Sequence, residues 1–437
     1  MMGEMTFRDR ASLLLGGLEE GREVRAYLRR FSARGDGCFA IVKVGGAVIQ
    51  DDLDPLTDAL ALLQFLGLPP VVVFGAGPQL NDDLMAAGFE EKRVDGLRVT
   101  PSAAMPLVAK AVGDMAVKLM TALKSRGASA SFVPQGILRA RQVDDAVYGS
   151  VGDIEHIDAD AVMQLVRAGT VPLVGCVHAD GEGRLLNINA DGVARSMCEV
   201  LKPQKIVFVT GTGGLLGPDG KRIDTVNLAT DRDALFSGDW LHGGMAHKLR
   251  EIMEILDDLP PSSSVSVTSA DGVVRELFTH TGAGTLIRKG EVIEHTTKAD
   301  KTALTNLVEE AFRQRLRGGY WDDLSFQYAL VSEHRRGAAI VTELDGVPVL
   351  DKFAVMGSAR GEGLSKALWR RLVDASPQII WRSRVNNPFN AFYHSKADGF
   401  VRRGAWRVYW VGSGLEDRIH GLADRLGERP ADFEDPQ

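Results

Sequence analysis

Residues 39–46 read Phe-Ala-Ile-Val-Lys-Val-Gly-Gly, a run of apolar, strand-forming residues that ends in two glycines. Residues 71–79 repeat this pattern as Val-Val-Val-Phe-Gly-Ala-Gly-Pro-Gln. Residues 53–66, between the two runs, have the apolar spacing of an amphipathic helix. Short apolar strands separated by a helix are typical of a mainly parallel sheet that helices cover on both faces. Ligands of such folds bind at the carboxyl ends of the strands, which is where both glycine-rich turns lie.

The same alternation continues outward from these runs to about residue 268. The sequence predicts strands at Phe39–Val44, Val71–Phe74, Ala130–Val133, Val171–Gly175, Ile206–Thr210 and Val265–Val267. It predicts amphipathic helices between them, for example at Leu53–Leu66, Ala103–Lys124, Ala159–Val166 and Met245–Leu256. Another helical pattern, Phe7–Phe31, precedes the first strand and ends near a Gly-Asp-Gly break.

The character of the sequence changes after Thr285. A polar stretch and a predicted helix, Ala303–Leu316, lead into closely spaced strands predicted at Gln327–Val331, Ala338–Glu343, Val347–Val355, Ile379–Ser383 and Trp406–Val411. Further helices are predicted near Leu364–Val373 and Asn390–Lys396. This pattern indicates a smaller, largely antiparallel α+β unit. We therefore expect a leading helix in residues 1–35, an α/β domain in residues 36–287 and an α+β domain in residues 288–437.

Composition narrows the class of protein. A chain of 437 residues fits two domains, and a formal net charge of −7 disfavours a general nucleic-acid or membrane-surface binder. The three cysteines, Cys38, Cys176 and Cys198, are far apart and form no CxxC pair, which favours a reducing cytoplasm over a disulfide scaffold or a zinc site. Neither a transmembrane segment nor a signal-peptide core is apparent. We expect a soluble, unprocessed, cytoplasmic protein.

Four short motifs in the first domain suggest phosphate chemistry. The two glycine-rich turns follow strands, Asn187-Ile188-Asn189-Ala190-Asp191 precedes a predicted helix, and Gly243-Gly244-Met245-Ala246-His247-Lys248 opens another. Each has a plainer interpretation taken singly: a simple loop, a helix N-cap for Asp191 and a solvated side chain for Lys248. Taken together they predict a phosphoryl-transfer site in which lysines neutralise the moving phosphoryl group and glycine turns hold its oxygens.

The order of these motifs resembles the amino-acid kinase superfamily, and specifically the N-acetylglutamate kinases, over about residues 39–287. The resemblance implies ATP with Mg²⁺ as phosphoryl donor, with Lys43 and Lys248 stabilising the transition state and Asp191 holding them. It implies phosphate or nucleotide contacts for Gly45, Gly46, Gly75, Gly77, Thr210, Gly211 and Gly213. It implies acetylglutamate binding by Arg98, Asn187 and Asn189. One departure is Ala76, which stands in a run where the family usually has glycine.

The segment Glu276–Thr285 resembles the signature of arginine-inhibited members, which also carry a leading helix. The resemblance implies an L-arginine site formed by Glu276, Gly282 and Gly284, with Lys205 facing the effector's carboxylate. It also implies a homo-oligomer, with a tetramer as the guess. The plainer interpretation is a surface helix end with a glycine cap, and the sequence leaves this alternative open.

The second domain contains motifs of acyl transfer. Arg360-Gly361-Glu362-Gly363-Leu364-Ser365 lies between a strand and a helix, where backbone amides suit a pyrophosphate. This turn resembles that of GNAT acetyltransferases, which implies coenzyme A contacts for Arg360, Gly361, Gly363 and Ser365. Trp381–Pro388, with Leu350–Phe353 and Tyr393, is similar to the acetyltransferase domain of the vertebrate-type N-acetylglutamate synthase family. That similarity implies glutamate binding by Lys352, Arg382, Arg384 and Asn387, and a proton donor in Tyr393. The plainer interpretation is surface basic residues and a packed tyrosine.

These resemblances together predict an amino-acid kinase fold followed by a smaller α+β GNAT domain. The implied function is bifunctional: acetyl-CoA and L-glutamate give N-acetyl-L-glutamate, which is then phosphorylated, with inhibition by L-arginine. Two enzymatic alternatives are a synthase with a silent regulatory kinase domain and a kinase with an inert GNAT appendage. A different class is a non-catalytic arginine or glutamate sensor, which needs fewer charged residues than two complete clusters.

Overall fold

The computed structural model describes residues 37–94, 96–237, 243–259, 263–278, 283–359, 363–415 and 417–434. The predicted helix Phe7–Phe31 lies outside these residues. The chain divides into two compact units between Lys289 and Gly290. No helix in the described part of the chain is long and apolar enough to cross a membrane.

The strands of the first unit are β1 (Ala40–Val44), β2 (Val71–Phe74), β3 (Arg93–Val94), β4 (Leu97–Arg98), β5 (Ala130–Phe132), β6 (Leu138–Gln142), β7 (Gly152–Ile157), β8 (Val171–Val174), β9 (Val177–Ala179), β10 (Leu185–Asn187), β11 (Lys205–Val209), β12 (Thr225–Asn227), β13 (Ser264–Thr268) and β14 (Thr285–Arg288). Its helices are α1 (Gly46–Asp51), α2 (Leu53–Phe65), α3 (Gly77–Ala86), α4 (Met105–Ser125), α5 (Asp145–Tyr148), α6 (Ala159–Arg167), α7 (Ala190–Leu201), α8 (Leu228–Phe236), α9 (Gly243–Asp258) and α10 (Val273–Phe278), with a 3₁₀ turn at Ser102–Ala104.

The main sheet has the strand order β12-β14-β13-β11-β1-β2-β8-β5. Neighbouring strands are parallel except β13 and β14, which pair antiparallel. The register pairs Val44 with both Val209 and Phe74, so β11, β1 and β2 end level with one another. The turns that follow these three strands therefore meet at one edge of the sheet.

The two faces of β1 belong to different helical layers, because side chains alternate along a strand. Val42 and Val44 pack in the core that includes α2 and α4. Ile41 packs in the other core, which includes α7 and α9. Lys43 shares the side of Ile41, so its side chain points towards the helices that carry Asp191 and Lys248.

The second unit consists of strands β15 (Ile293–Thr296), β16 (Phe326–Ser332), β17 (Gly337–Leu344), β18 (Val347–Val355), β19 (Ile379–Arg384), β20 (Gly399–Arg403) and β21 (Trp406–Val411). Its helices are α11 (Lys301–Phe312), α12 (Leu364–Ala375), α13 (Asn390–His394) and α14 (Ile419–Glu428), with a 3₁₀ turn at Gly357–Ala359. The strand order is β15-β16-β17-β18-β19-β21-β20. Pairing is antiparallel except between β18 and β19. The predicted fold class, a mainly parallel α/β unit followed by a smaller, largely antiparallel α+β unit, is confirmed.

One predicted helix is too long. Helix α11 ends at Phe312 rather than at Leu316, because Arg313 adopts a left-handed conformation with φ of 55° and closes the helix. Leu316 instead forms an antiparallel bridge with Phe433. This bridge brings the segment Arg429–Glu434 beside β18. The apolar spacing of residues 303–316 does not predict such a contact, because it reports only local structure.

Candidate active sites

Lys43, Asp191 and Lys248 converge at the carboxyl edge of the first sheet. Lys43 Nζ lies 2.5 Å from Asp191 Oδ1, and both residues are only 8% exposed. Burial lowers the pKa of Lys248, the nearby Lys43 ammonium lowers it further, and Asp191 raises it. The two lysines outnumber the one carboxylate, so this cluster has a net positive charge and suits an incoming anion.

The helix cap at this site is Asn189 rather than Asp191. Asn189 has extended dihedral angles, and its Oδ1 accepts a hydrogen bond from the Asp191 amide at 3.1 Å. Asp191 lies in the first turn of α7, and its carboxylate faces Lys43. The plainer interpretation of Asp191 as an N-cap is therefore wrong, and its carboxylate is available to orient a lysine.

The two glycine-rich turns pack directly against each other. A Cβ on Gly46 would lie 2.9 Å from the Gly75 carbonyl oxygen, 3.0 Å from the Gly77 nitrogen and 3.1 Å from Pro78 Cδ. Only glycine allows this approach of backbone to backbone. Ala76, the departure from the family pattern, is 3% exposed and packs in the core beneath the turn, so its methyl group fills apolar space.

A Gly46→Ala variant is expected to lose stability and kinase activity together. The new methyl group meets backbone atoms that have no rotamer to move, and such overpacking costs about 1–3 kcal/mol. Thermal unfolding and ADP release would measure the two effects. Gly113→Ala is the matched control, because its added Cβ has open space on α4. Equal unfolding temperatures for both variants would contradict the packing argument.

The loop after β11 contributes a third turn at the same edge. Thr210 is buried, and its amide donates to the Thr268 carbonyl oxygen at 2.8 Å. Its hydroxyl lies 3.2 Å from that of Thr212. Gly213 has a positive φ of 67° and closes the turn back on the Thr210 carbonyl oxygen at 3.2 Å. Gly211 has open space around its Cα, as a loop that meets a nucleotide requires.

Two of the three predicted acetylglutamate residues, Arg98 and Asn187, are connected through Thr100. The side-chain amide of Asn187 donates to the Thr100 hydroxyl at 3.0 Å. That hydroxyl in turn donates to the Arg98 carbonyl oxygen at 3.0 Å. The Arg98 guanidinium donates to Asn81 and lies 3.6 Å from Glu91. Burial lowers the pKa of Arg98. The structure thus places Arg98 and Asn187 on one connected network, and Thr100 is a member that the sequence analysis had not singled out.

The predicted arginine site is only partly described. Glu276 is buried in α10, and its Oε2 accepts the backbone amides of Ala283 at 2.8 Å and Gly284 at 3.0 Å. Gly282 lies outside the described residues. Lys205 begins β11 level with Ser264, whereas Gly284 lies beside the far end of β13. The main chains of Lys205 and Gly284 are therefore about 13 Å apart along the strands, at ~3.3 Å per residue.

The second unit brings the predicted glutamate residues together. Lys352 Nζ lies 2.6 Å from Asp351 Oδ2 and 2.9 Å from Asp432 Oδ2, and Lys352 is 3% exposed. Arg382 Nη2 lies 3.2 Å from the same Asp432 oxygen. Arg384 is exposed, and both arginines stack on the Trp406 ring, at 4.3 Å for Arg382 and 5.0 Å for Arg384.

Asn387 lies close by and has local hydrogen bonds. Its amide donates to the Ser383 hydroxyl at 2.9 Å, and its Oδ1 accepts the Phe389 amide at 2.9 Å. These contacts hold the turn between β19 and α13. The structure therefore brings Asn387 to the end of the strand that carries Arg382 and Arg384.

Tyr393 lies in an aromatic cluster on the opposite face of β19. Its ring centroid is 5.5 Å from that of Trp381 and 5.7 Å from that of Tyr409. Burial raises the pKa of Tyr393 above its usual value, and neighbouring Tyr409 adds to the shift. The phenol therefore stays protonated well into the alkaline range, as a proton donor requires.

The predicted coenzyme A turn is described from Gly363 onwards. Gly363 is the N-cap of α12 with a left-handed φ of 78°, a conformation that favours glycine. Ser365 is half-buried in the first turn of this helix. Arg360 and Gly361 lie outside the described residues.

Three partners of Lys352, namely Asp351, Tyr320 and Asp432, were not predicted from the sequence. Asp351 Oδ2 accepts hydrogen bonds from Lys352 Nζ and from the Tyr320 hydroxyl, each at 2.6 Å. The Tyr320 ring centroid lies 4.8 Å from Lys352 Nζ. Burial opposes ionisation of Asp351, but the adjacent Lys352 ammonium keeps its pKa below the usual value. Asp351 could have been suspected from its place next to Lys352. Asp432 could not, because 80 residues separate it from that lysine.

Comparisons with known proteins identify both units. Residues 39–261 match the model of the amino acid kinase family, and residues 289–427 match the N-acetyltransferase domain of N-acetylglutamate synthase. An acetylglutamate kinase of Xylella fastidiosa (strain 9a5c) is 43% identical over 94% of this chain and 98% of its own length. The mitochondrial N-acetylglutamate synthase of Homo sapiens is 29% identical over 95% of this chain and 77% of its own length. A solved structure of Neisseria gonorrhoeae N-acetylglutamate synthase, complexed with coenzyme A and N-acetyl-glutamate, has a TM-score of 0.64 at 18% identity, covering 94% of this chain and 96% of that one.

Proposed function

This chain belongs to the amino acid kinase family, and we propose that it is a bifunctional enzyme of arginine biosynthesis. Its second domain makes N-acetyl-L-glutamate from acetyl-CoA and L-glutamate, and its first domain phosphorylates that product with ATP. The relative named acetylglutamate kinase aligns along both domains, and so does the human synthase. The predicted family, fold and enzyme class are confirmed, which disfavours a non-catalytic sensor.

The kinase reaction is supported above all by the convergence of Lys43, Asp191 and Lys248. A carboxylate oxygen of N-acetylglutamate attacks the γ-phosphorus of ATP, a new P–O bond forms, and the P–O bond to ADP breaks. No proton needs to be removed, because a carboxylate is already the nucleophile. The surplus positive charge of the two lysines stabilises negative charge on the equatorial and leaving oxygens. Asp191 keeps Lys43 in position through the 2.5 Å ion pair.

Magnesium fits this site as a companion of the nucleotide. Among the described residues, no cluster of three or more acidic, histidine or cysteine side chains could hold a metal ion alone. Mg²⁺ is commonly held by substrate phosphates and water with few protein ligands. We therefore propose that Mg²⁺ binds with ATP and neutralises its phosphates.

The acetyl transfer is supported by the cationic cluster, and Tyr393, on the opposite face of β19, is the proton donor that the family resemblance implies. The amine of glutamate attacks the thioester carbonyl carbon, a C–N bond forms, and the C–S bond breaks. The amine loses a proton to water, and the departing coenzyme A thiolate takes one from Tyr393, which solvent then restores. Lys352, Arg382 and Arg384 have the charge to bind carboxylates, and Lys352 and Arg382 already pair with the carboxylate of Asp432.

Two assays on the purified chain test the proposal. ADP release on adding N-acetylglutamate reports the kinase, and free thiol release from acetyl-CoA on adding glutamate reports the synthase. Thiol release without ADP release would identify a synthase with a silent kinase domain. ADP release alone would identify a kinase with an inert GNAT domain, and neither product would support the sensor.

We also propose that L-arginine inhibits this chain through the Glu276 region. The described hydrogen bonds of Glu276 from Ala283 and Gly284 both reach Oε2, and they hold the carboxylate in a fixed orientation. Within the described part of the chain, its other oxygen, Oε1, accepts no hydrogen bond and can pair with a guanidinium. Glu276 thereby joins an anion to the backbone amides of Ala283 and Gly284, which suits a cationic amino acid.

A Glu276→Gln variant is expected to raise the arginine concentration for half-inhibition by roughly tenfold. The carboxamide oxygen still accepts the amides of Ala283 and Gly284, but the NH₂ group that replaces Oε1 is a donor and cannot accept from a guanidinium, so the charge-assisted hydrogen bond is lost. Both enzymatic assays, titrated with arginine, would measure the shift. Glu155→Gln is the control, because that glutamate is exposed and pairs only with Arg139 among its described partners. Unchanged inhibition in the Glu276 variant would place the effector elsewhere.

We further propose that the protein is a cytoplasmic homo-oligomer. Cys38, Cys176 and Cys198 are all buried free thiols, as expected in a reducing compartment. Burial raises the pKa of Cys38 to about 12 and that of Cys176 to about 11, which makes them inert. The tetramer rests on the family resemblance, and sedimentation of the purified chain would test it.

A further inference from the structure

One carboxylate already lies between the two buried cations of the acetyltransferase domain. Asp432 Oδ2 is 2.9 Å from Lys352 Nζ and 3.2 Å from Arg382 Nη2, and Asp432 Oδ1 is 3.3 Å from the same Nη2. These are the contacts that the carboxylate of a bound amino-acid substrate would make with the same two side chains.

The segment Arg429–Glu434 holds Asp432 in this position. Arg382 donates to the Arg429 carbonyl oxygen at 2.7 Å and to the Pro430 carbonyl oxygen at 2.7 Å. The Arg317 amide donates to the Asp432 carbonyl oxygen at 3.0 Å. The Glu434 amide donates to the Arg315 carbonyl oxygen at 2.9 Å. This segment is therefore held by a short, strand-like pairing and by Phe433, whose ring centroid lies 5.0 Å from that of Phe312. Water can replace the hydrogen bonds when the segment leaves, whereas the ring contact adds to the cost of leaving.

The charge balance of the cluster favours replacement of Asp432 by a ligand carboxylate over the binding of an additional carboxylate. The two buried cations, Lys352 and Arg382, are balanced by Asp351 and Asp432, and Arg384, the third proposed cation, is exposed to solvent. A further carboxylate would leave an uncompensated negative charge in a largely buried place, which is unfavourable. A carboxylate that replaces Asp432 keeps the cluster neutral and keeps both cations paired.

We propose that Asp432 is an internal competitor that occupies the position of a substrate carboxylate, and that segment 429–434 and glutamate bind in alternation. This inference rests on the proposed acetylation of glutamate. The apparent affinity for glutamate is then reduced by the fraction of chains in which the segment is in place. Dicarboxylates and amino acids with an acidic side chain are the ligands that would displace it.

An Asp432→Asn variant tests the competition. The carboxamide keeps the shape but binds two cations weakly, so we expect the KM for glutamate to fall by roughly three- to tenfold, while the KM for acetyl-CoA is unchanged. Glu434→Gln is the matched control, since that exposed side chain lies on the same segment and its KM for glutamate should equal that of the unaltered chain. A KM for glutamate that is unchanged or higher in Asp432→Asn would overturn the proposal.

Hydrogen exchange of the unaltered chain provides a second test that needs no variant and no turnover. The amides of Arg317 and Glu434 are protected only while the segment is in place. Saturating glutamate should accelerate exchange at both amides by at least severalfold, whereas exchange that stays the same or slows would refute displacement. Failure of the proposed function would look different, because the unaltered chain would then release no thiol from acetyl-CoA with glutamate.

Discussion

Lys248→Ala is expected to reduce ADP release by about 10²–10³-fold while thiol release from acetyl-CoA stays unchanged. The variant removes one cation from the cluster and leaves Lys43 paired with Asp191 at 2.5 Å, so the remaining pair is neutral. A preorganised donor of this kind contributes about 10²–10³ to the rate, because it acts where charge develops. The loss should appear in kcat rather than in the KM for N-acetylglutamate, since the proposed contact is with the moving phosphoryl group.

Two further variants separate charge from packing at this position. Lys221→Ala removes an exposed lysine from the same domain, and we expect full ADP release from it. Lys248→Arg keeps the charge with a different shape, and it should retain more activity than the alanine variant. ADP release in Lys248→Ala above about one-tenth of the unaltered rate would remove Lys248 from the transition state and favour the solvated side chain that the sequence also allowed.

The cluster around Lys43 could be predicted because its geometry follows from local rules. Strand periodicity fixes which face Lys43 shares with Ile41, and parallel register brings the ends of β11, β1 and β2 to one edge. The glycine turns could be recognised for the same reason. Their contact through Gly46 could not, because it depends on how two separate turns pack in three dimensions.

The helix cap shows where local rules become ambiguous. Asn189 and Asp191 are both good capping residues and are two positions apart. The choice depends on which residue has extended dihedral angles, and that follows from the tertiary path of the chain into α7. Sequence reasoning therefore identified Asp191 as a candidate but left its two interpretations open.

The partners of Lys352 could not be predicted from the sequence, and here the reason is a different one. Its partners include Asp432, which the bridge between Leu316 and Phe433 brings into place, and those two residues are 117 positions apart in the sequence. No periodic pattern reports such a contact. The error in the predicted end of α11 has the same origin, since Leu316 continues the apolar spacing of the helix but belongs to the bridge.

Tyr393→Phe is expected to lower thiol release by about 10²-fold, the lower end of what a general acid contributes. Phenylalanine keeps the ring contacts with Trp381 and Tyr409, so the aromatic cluster should remain folded. Only the hydroxyl is lost. Because burial raises the pKa of Tyr393 above its ordinary value of 10.0, the unaltered enzyme should show no loss of acetyl transfer from tyrosine ionisation between neutral pH and about pH 10.

The same surroundings explain why a phenol suits this proton transfer. An apolar site disfavours any anion, so it raises the proton affinity of the departing thiolate as well as that of the phenolate, and the raised pKa of the phenol does not by itself prevent the transfer. Tyr328→Phe is the matched control: it removes a half-buried hydroxyl from the same domain, one that lies 2.7 Å from the Ser376 hydroxyl, and should leave turnover intact. Thiol release that is equal in Tyr393→Phe and the unaltered enzyme at every pH would show that Tyr393 only packs, and the leaving thiolate would then need its proton from water.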